Sequence, residues 1–414
     1  MRATAAPTLL ALGLVACGGG SEDPSAGALH RFPVPGCEAF DHAPCDVREE
    51  ACQAQLFDLA LCLRGGGSGA PPAVSLMTEP EYAEYLNGLV EPPPQPNHYE
   101  RALVMLRLVA AAAFEPATVV AERVTNVLGV YRHATEDVVI IDHGAATDDE
   151  TASRVLIHEF IHALQDRDVD LEARDEEYAS SYDSYLAVRA LSEGEARLHE
   201  IRYLASLSGV DPGAVDWRVR FQRSLEYSEG WVFEQTSPYS AAYDVFPYQW
   251  GARYLNFAWE AGGFDAVLAR FASPPLTTHT LMTSIDAAAE PVTPSAPATL
   301  TPPEGWSPFA DATLGAWGTF LLLGQTAPRE TARATAFGWR GDRLFVFAGP
   351  ASADGAEPAT AVVWVMDFAD EATAAAAHTS AVVNGAVWIT ERVGARLTVA
   401  TCDQVVDLAW AFVP

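Results

Sequence analysis

The sequence predicts an α+β protein: a mostly helical body with a small β-sheet edge, an N-terminal Cys-rich helical module and a small α+β C-terminal domain. Three observations predict it. Four cysteines crowd into residues 37–62, ahead of a Gly-rich break. Long helical patterns dominate the stretch from about residue 149 to 272. In the last hundred residues, short runs alternate between apolar and polar side chains, as antiparallel strands do. A chain of 414 residues is also too long for one small core, so several domains are expected.

The first residues, MRATAAPTLLALGLVAC, carry one Arg, an apolar run from Pro7 to Ala16, and then Cys17. That is the layout of a secretory signal, too short to stay in a bilayer as a spanning helix. Leu14-Val15-Ala16-Cys17 resembles the bacterial lipobox, in which the Cys is lipidated and becomes the mature N-terminus; an ordinary signal cut nearby is the alternative. Residues 1–17 are therefore expected to be the signal and 18–30, rich in Gly and polar residues, a tether. No other segment is long and apolar enough to span a membrane. The expected location is the bacterial cell envelope, with membrane contact through the lipid anchor alone.

Residues 31–64 form the Cys-rich module. In an exported chain Cys37, Cys45, Cys52 and Cys62 predict two disulfides, with three connectivities open. Zinc binding is the competing reading, but C-x7-C and C-x9-C are poor matches to the short spacings of zinc ligands. Cys402 is then left as a buried free thiol. GGGSGAPP begins a linker over 65–75. The net charge of −30, with all 25 basic residues Arg, argues against nucleic acid and against adhesion to anionic lipid heads.

The body is expected over 76–289. A helical stretch runs from His98 to Ala113; VLGVYR and DVVIID, separated by HATE, then predict a β-hairpin. Thr147 and Glu150 fit a capping box that opens a helix through VLIHEFIHALQD, 155–166. The acidic stretch after Asp166 is expected to be a surface loop. A second long helix starts near Tyr182 and stops at Gly209. FPYQWGARYLNFAWEAGGFDAVLARF is the clearest helix of the next region. Residues 290–310, rich in Pro and Thr, are expected to link the body to the C-terminal domain, 311–414. There GWRGDRLFVFAG, TAVVWVMDF, GAVWITERV and RLTVAT predict strands, and DEATAAAAHTSAV a helix.

Within VLIHEFIHALQD, His158 and His162 stand four residues apart and so project from one face of a helix. Two imidazoles so placed can close on one Zn²⁺, while Glu159, displaced around the helix, can reach a water on the metal. Buried histidines satisfied by neighbours are the alternative. A catalytic zinc needs a third protein ligand and an open position. Glu193 in ALSEGEARLHE lies on the apolar stripe of Leu186 and Ala190 and is the candidate. Gly194 is costly inside a helix and makes sense where another backbone approaches closely. Glu195 and His199 are a weaker rival pair, read as surface residues or as supports for the ligands. Asp166, one turn beyond His162, and Asp183, on the face of Glu193, could each hold a ligand imidazole or be merely solvated.

HEFIH followed by a helical Glu resembles the gluzincin class of zinc metallopeptidases. SEGEA is similar to the run in which aminopeptidase-type members place their third ligand, which maps onto Glu193. More closely, HEFIHALQD, DSYLAVRALSEGEA, FPYQWGARYLNFAWEAGGFDAVLARFASPPLTTHTLM and GWRGDR resemble a group of bacterial exported zincins, over about Val127 to Val393. PLTTHTLM departs from that group's Ser-Thr pair and later His-Pro. The resemblance implies a zincin-like fold for the body, one catalytic Zn²⁺ held by His158, His162 and Glu193, and a peptide or protein substrate. It implies Glu159 as general base and then acid, and a donor for the oxyanion. Tyr248 is the candidate donor, with Tyr185 and Tyr203 as alternatives. By the same resemblance DVVIID would be the sheet edge that aligns an extended substrate. A non-catalytic surface lipoprotein and a zinc hydrolase of a non-peptide bond are the competing functions.

Overall fold

The computed structural model describes residues 32–89, 97–144, 147–179, 181–235, 237–284, 299–350, 357–383, 388–404 and 407–412. The signal, Cys17 and the tether lie outside the described residues, as do residues 290–298 of the expected 290–310 linker. The protein is α+β, with two small sheets and a Cys-rich N-terminal region. Among the described residues no helix is long and apolar enough to cross a membrane.

The N-terminal module is built on α1 (Glu50–Arg64), closed by Gly65 in the left-handed region at φ 72°, which returns its N–H to the carbonyls of Leu61 and Cys62. Of the three connectivities left open, the cysteines adopt Cys37–Cys62 and Cys45–Cys52, and Cys402 is free and half-buried. The buried face of α1 carries Leu56, Phe57, Ala60 and Leu63.

Three strands follow: β1 (Ala73–Thr78), β2 (Gly129–Arg132) and β3 (Asp137–Asp142), in the order β1-β3-β2. The hairpin predicted from VLGVYR and DVVIID forms, with β2 antiparallel to β3. β1 starts inside the expected 65–75 linker and pairs in parallel with β3. The expected edge role of DVVIID is thereby corrected: β3 is the central strand, and β2 takes the edge. Val138 to Ile141 are all buried, as a strand covered on both faces requires. Between β1 and β2 lie α2 (Glu79–Leu89), α3 (His98–Met105) and α4 (Pro116–Asn126).

α5 (Asp149–Val169) carries the two histidines, and its middle, Val155 to Gln165, is buried throughout. Its N-cap is Asp148, whose carboxylate accepts from the amide of Thr151, and not Thr147. The Thr147 hydroxyl instead accepts from His143 N and donates to the Ile141 carbonyl, which closes the strand-to-helix turn. The acidic stretch expected as loop is helical too. α5 runs to Val169, Asp170 turns the chain at φ 51°, and α6 (Leu171–Tyr178) follows. Its charges mark a solvated helix face, because acidity demands water and not irregular backbone.

α7 (Tyr182–Leu207), α8 (Trp217–Glu234) and α9 (Pro238–Ala272, kinked at Gly262–Gly263) complete the helical body with the short α10 (Thr278–Thr283). The close approach that Gly194 foretold is present. A Cβ on Gly194 of α7 would stand 2.3 Å from the carbonyl carbon of Gly251 on α9, and one on Gly251 would stand 1.9 Å from the Ala190 carbonyl oxygen.

The C-terminal part holds β4 (Ser307–Ala312), α11 (Gly315–Gly324), α12 (Arg329–Phe337), β5 (Trp339–Ala348), β6 (Thr360–Phe368), α13 (Glu371–Val383), β7 (Ile389–Val393) and β8 (Arg396–Cys402). Its sheet is antiparallel throughout, ordered β4-β5-β6-β8-β7, as the alternation predicted. β4 begins within the expected linker. Asp342, in the GWRGDR run, is buried and accepts four N–H groups: the amides of Leu314 and Gly315 at the start of α11, and the indoles of Trp339 and Trp364. The carboxylate thus caps α11 from the sheet. Helix α11 also faces the body, with Trp317 4.9 Å from Phe246 of α9 in a core shared by both parts.

Candidate metal centre

The sequence brings the candidate ligands together through two helices. α5 and α7 pack side by side, and the i, i+4 spacing on α5 turns both imidazoles to the same side. His158 Nε2 and His162 Nε2 are 3.0 Å apart, and Glu193 Oε2 lies 3.6 Å from each. All three side chains are buried, at 0–1 % exposure. They form a group able to hold a metal ion.

The hydrogen bonds behind the ligands decide what these atoms can do. His158 Nδ1 faces Glu200 Oε2 at 3.2 Å, and His162 Nδ1 faces Gln165 Oε1 at 2.9 Å. The Gln165 amide nitrogen is committed to Ser192 O and to Glu195 Oε2, so its oxygen must point at His162. Both Nδ1 atoms therefore donate, and each ring, when neutral, presents a bare Nε2 lone pair to the centre. Glu193 Oε2 accepts no hydrogen bond among the described residues. Three electron-pair donors converge in a buried space, an arrangement that repels itself unless a cation lies between them.

The electrostatics show the same demand for positive charge. Burial alone would push His158 down, but the carboxylates of Glu193 and Glu200 raise it to about 9, so a second proton on this ring and a metal ion compete for the same place. Burial alone would raise Glu193, but His158, His162 and Arg189 hold its carboxyl well below the usual range. Arg189 Nε bonds the other Glu193 oxygen at 3.3 Å. Glu200 is fixed in turn by Arg154 and Arg197. The donors also sit at a useful size. Points separated by 3.0, 3.6 and 3.6 Å lie on a circle of radius about 2.0 Å, the length of a bond to a first-row divalent ion.

Glu159 sits beside this group. Its Oε2 accepts the amide of Tyr131 at 2.7 Å, on the side of β2 that faces away from β3. Its Oε1 is buried and accepts no hydrogen bond among the described residues, and burial raises its carboxyl. Gly129 makes this contact sterically possible: a Cβ there would stand 2.4 Å from Val155 and 3.2 Å from Glu159 Oε1. Tyr248 stacks on His158, with ring centroids 5.8 Å apart and planes 19° from parallel. Its hydroxyl makes no hydrogen bond among the described residues, and burial holds it well above its usual pKa. Of the two alternatives, Tyr185 bonds Tyr243 at 3.1 Å and Tyr203 is buried in the core between the N-terminal module and α5. The Arg189 guanidinium lies over the ring of Tyr243, which with Phe114, Val127 and Asp244 lines a cavity of about 220 Å³.

Two expected supports act elsewhere. Asp166 accepts from the Tyr131 hydroxyl and the Leu171 amide and lies 3.4 Å from His133 Nδ1, and so pins the β2–β3 turn to α6 instead of holding a candidate ligand imidazole. Asp183 accepts the amide and hydroxyl of Thr278, the first residue of α10, within the PLTTHTLM run. The imidazoles are held instead by Gln165, three residues after His162, and by Glu200, seven residues after Glu193. Both spacings were readable, since i+3 and i+7 keep a residue on its helix face. Glu195, read with His199 as a surface pair or a support, is fully buried, one contact removed from His162; His199 packs on Trp259.

Residues 307–409, less than half of the chain, match a family described as a domain of unknown function (DUF8575). No curated protein and no solved structure matches the chain. The matched segment starts where β4 starts and contains none of the residues of the metal centre.

Proposed function

We propose that this protein is a zinc-dependent metallopeptidase exported to the cell envelope. The observation that carries the reading is the buried convergence of His158 Nε2, His162 Nε2 and Glu193 Oε2 on a circle of about 2.0 Å radius, beside a Glu159 oxygen with no partner. Two imidazoles and one carboxylate are a donor set of catalytic zinc, whose bonds to nitrogen and oxygen are about 2.0–2.2 Å. Bound there, zinc supplies Lewis acidity and acidifies water to near neutrality.

The chain's own residues supply the remainder. Glu159 Oε1 is the base that takes a proton from the attacking water and returns it to the leaving amine. The Tyr131 amide holds the other oxygen and so aims the carboxylate. The Tyr248 hydroxyl is the donor for the developing oxyanion. Two disulfides in the N-terminal module fit an oxidising compartment, in keeping with a lipid anchor at Cys17. Metal analysis of the purified protein with peptide cleavage by the wild type and Glu159→Gln tests the reading. Full zinc with undiminished cleavage in the variant sinks the mechanism.

The burial of His158, Glu159, His162 and Glu193 favours a second reading, a non-catalytic surface lipoprotein in which the metal is structural. That reading expects zinc in the purified protein, a lower melting temperature in chelator and no cleavage of any peptide.

A further inference from the structure

We propose that Arg64, at the end of the disulfide-clamped helix α1, is a positioning residue of the metal centre. It acts on His162 through Glu195 and Gln165. This rests on the metal-centre reading above and extends it to the N-terminal module.

The chain of contacts is unbroken and buried. Arg64 Nε donates to Glu195 Oε1 at 3.0 Å, Glu195 Oε2 accepts from Gln165 Nε2 at 2.8 Å, and Gln165 Oε1 accepts from His162 Nδ1 at 2.9 Å. Arg64, Glu195, Gln165 and His162 are each no more than 1 % exposed. Each link constrains the next. The guanidinium fixes one Glu195 oxygen, which leaves the other to accept from Gln165. That bond, with Ser192 O, keeps the amide nitrogen turned away from His162 and the amide oxygen turned toward it. The oxygen in turn requires a proton on His162 Nδ1 and leaves Nε2 bare for a metal ion. A flipped amide would present N–H to Nδ1 and favour the tautomer that carries its proton on Nε2, the wrong atom for binding.

The module is built into the scaffold around this chain. Cys62, two residues before Arg64, is bridged to Cys37. Phe57 of α1 meets Phe160 of α5 edge-on at 5.2 Å, and Cys45 exchanges two hydrogen bonds with Ser153 of α5. Arg64 also bonds Asp168, near the end of α5, at 2.6 Å, and its guanidinium lies over Phe264. The module is thus packed into the supports of the metal centre.

The test measures the zinc dissociation constant of the full chain by competition with a chelating dye, with circular dichroism to establish folding and ¹⁵N NMR to report the His162 tautomer. Arg64→Met should weaken zinc roughly tenfold, at the low end of what outer contacts of ligands are worth. It should also shift the His162 signal away from the Nδ1-protonated form, and Arg64→Lys, which keeps the charge but not the fork that reaches Glu195 and Asp168 at once, should show a smaller loss in the same direction. Asp168→Asn loosens the other arm of Arg64 and should leave both readouts unchanged. Wild-type affinity in folded Arg64→Met overturns the proposal, and so does an equal loss in Asp168→Asn. If Arg64→Met does not fold, the comparison of Arg64→Lys with Asp168→Asn decides: a loss confined to Arg64→Lys supports the proposal and equal behaviour overturns it. A wild-type chain that binds no zinc overturns the metal-centre reading itself, a separate result.

Discussion

Gly194 of α7 and Gly251 of α9 meet backbone to backbone, next to the candidate ligand Glu193: Gly251 Cα would stand 2.6 Å from a Cβ on Gly194. Gly194→Ala should gain about 1 kcal/mol of helix propensity. It should lose more to overpacking, roughly 1–3 kcal/mol or beyond, because the obstructing atoms are backbone and cannot swing away. We expect a net fall in stability and weaker zinc binding as Glu193 is displaced. Denaturant unfolding and dye competition measure both, and an unchanged variant refutes the contact.

Glu159→Gln keeps the shape of the side chain and its acceptor for the Tyr131 amide, but removes the base. Cleavage should fall roughly 10²–10⁴-fold while the metal stays bound. Metal content and turnover on one preparation separate the two effects.

Asp183 lies at the start of α7, and burial, with the Asp342 carboxylate nearby and against the two hydrogen bonds from Thr278, raises its carboxyl to about 7. A folded-state pKa above the ordinary 3.8 gives a contribution that is fully present below about pH 4 and lost as pH rises through 7. Asp183→Asn still accepts from Thr278 and has no such dependence. Relative to the variant, the wild type should lose stability between pH 4 and 7 by at most about 1.4 kcal/mol per unit. Unfolding curves at pH 4, 5.5, 7 and 8.5 check the slope, and a constant difference refutes it.

The Cys37–Cys62 bridge closes a segment of 25 residues and Cys45–Cys52 one of 7. The longer loop restricts the unfolded chain more. Replacing Cys37 and Cys62 by Ala should cost about 3 kcal/mol, and replacing Cys45 and Cys52 less. Paired denaturation curves give the order; a reversed order means that native packing, and not chain entropy, sets the contribution.

What was legible in the sequence was local. His158 and His162 lie one helical turn apart, Glu193 falls on an apolar stripe, and Gly194 sits where no helix would choose it. Those patterns picked out three residues whose donor atoms converge. What was missed depends on partners far along the chain. Arg64 and Glu195 are separated by 131 residues, and no periodicity links them. β1 pairs with β3 across more than sixty residues, so nothing near Ala73 announced a strand. DVVIID carries a local signal against the edge role that the resemblance implies, since an uninterrupted apolar run belongs at the centre of a sheet and not at its edge. The acidic residues after Asp166 were read as loop because charge reports exposure, and exposure is compatible with helix.

The shared core beneath Trp317 bears on how the matched segment is understood. Similarity to the family begins at Ser307, yet Trp317 rests on Phe246, and its backbone amide donates to Thr278, which itself donates to Asp183 of α7. The line at which likeness begins is therefore no seam in the folded molecule. Wherever that segment occurs without α7 and α9, some other surface has to cover the indole.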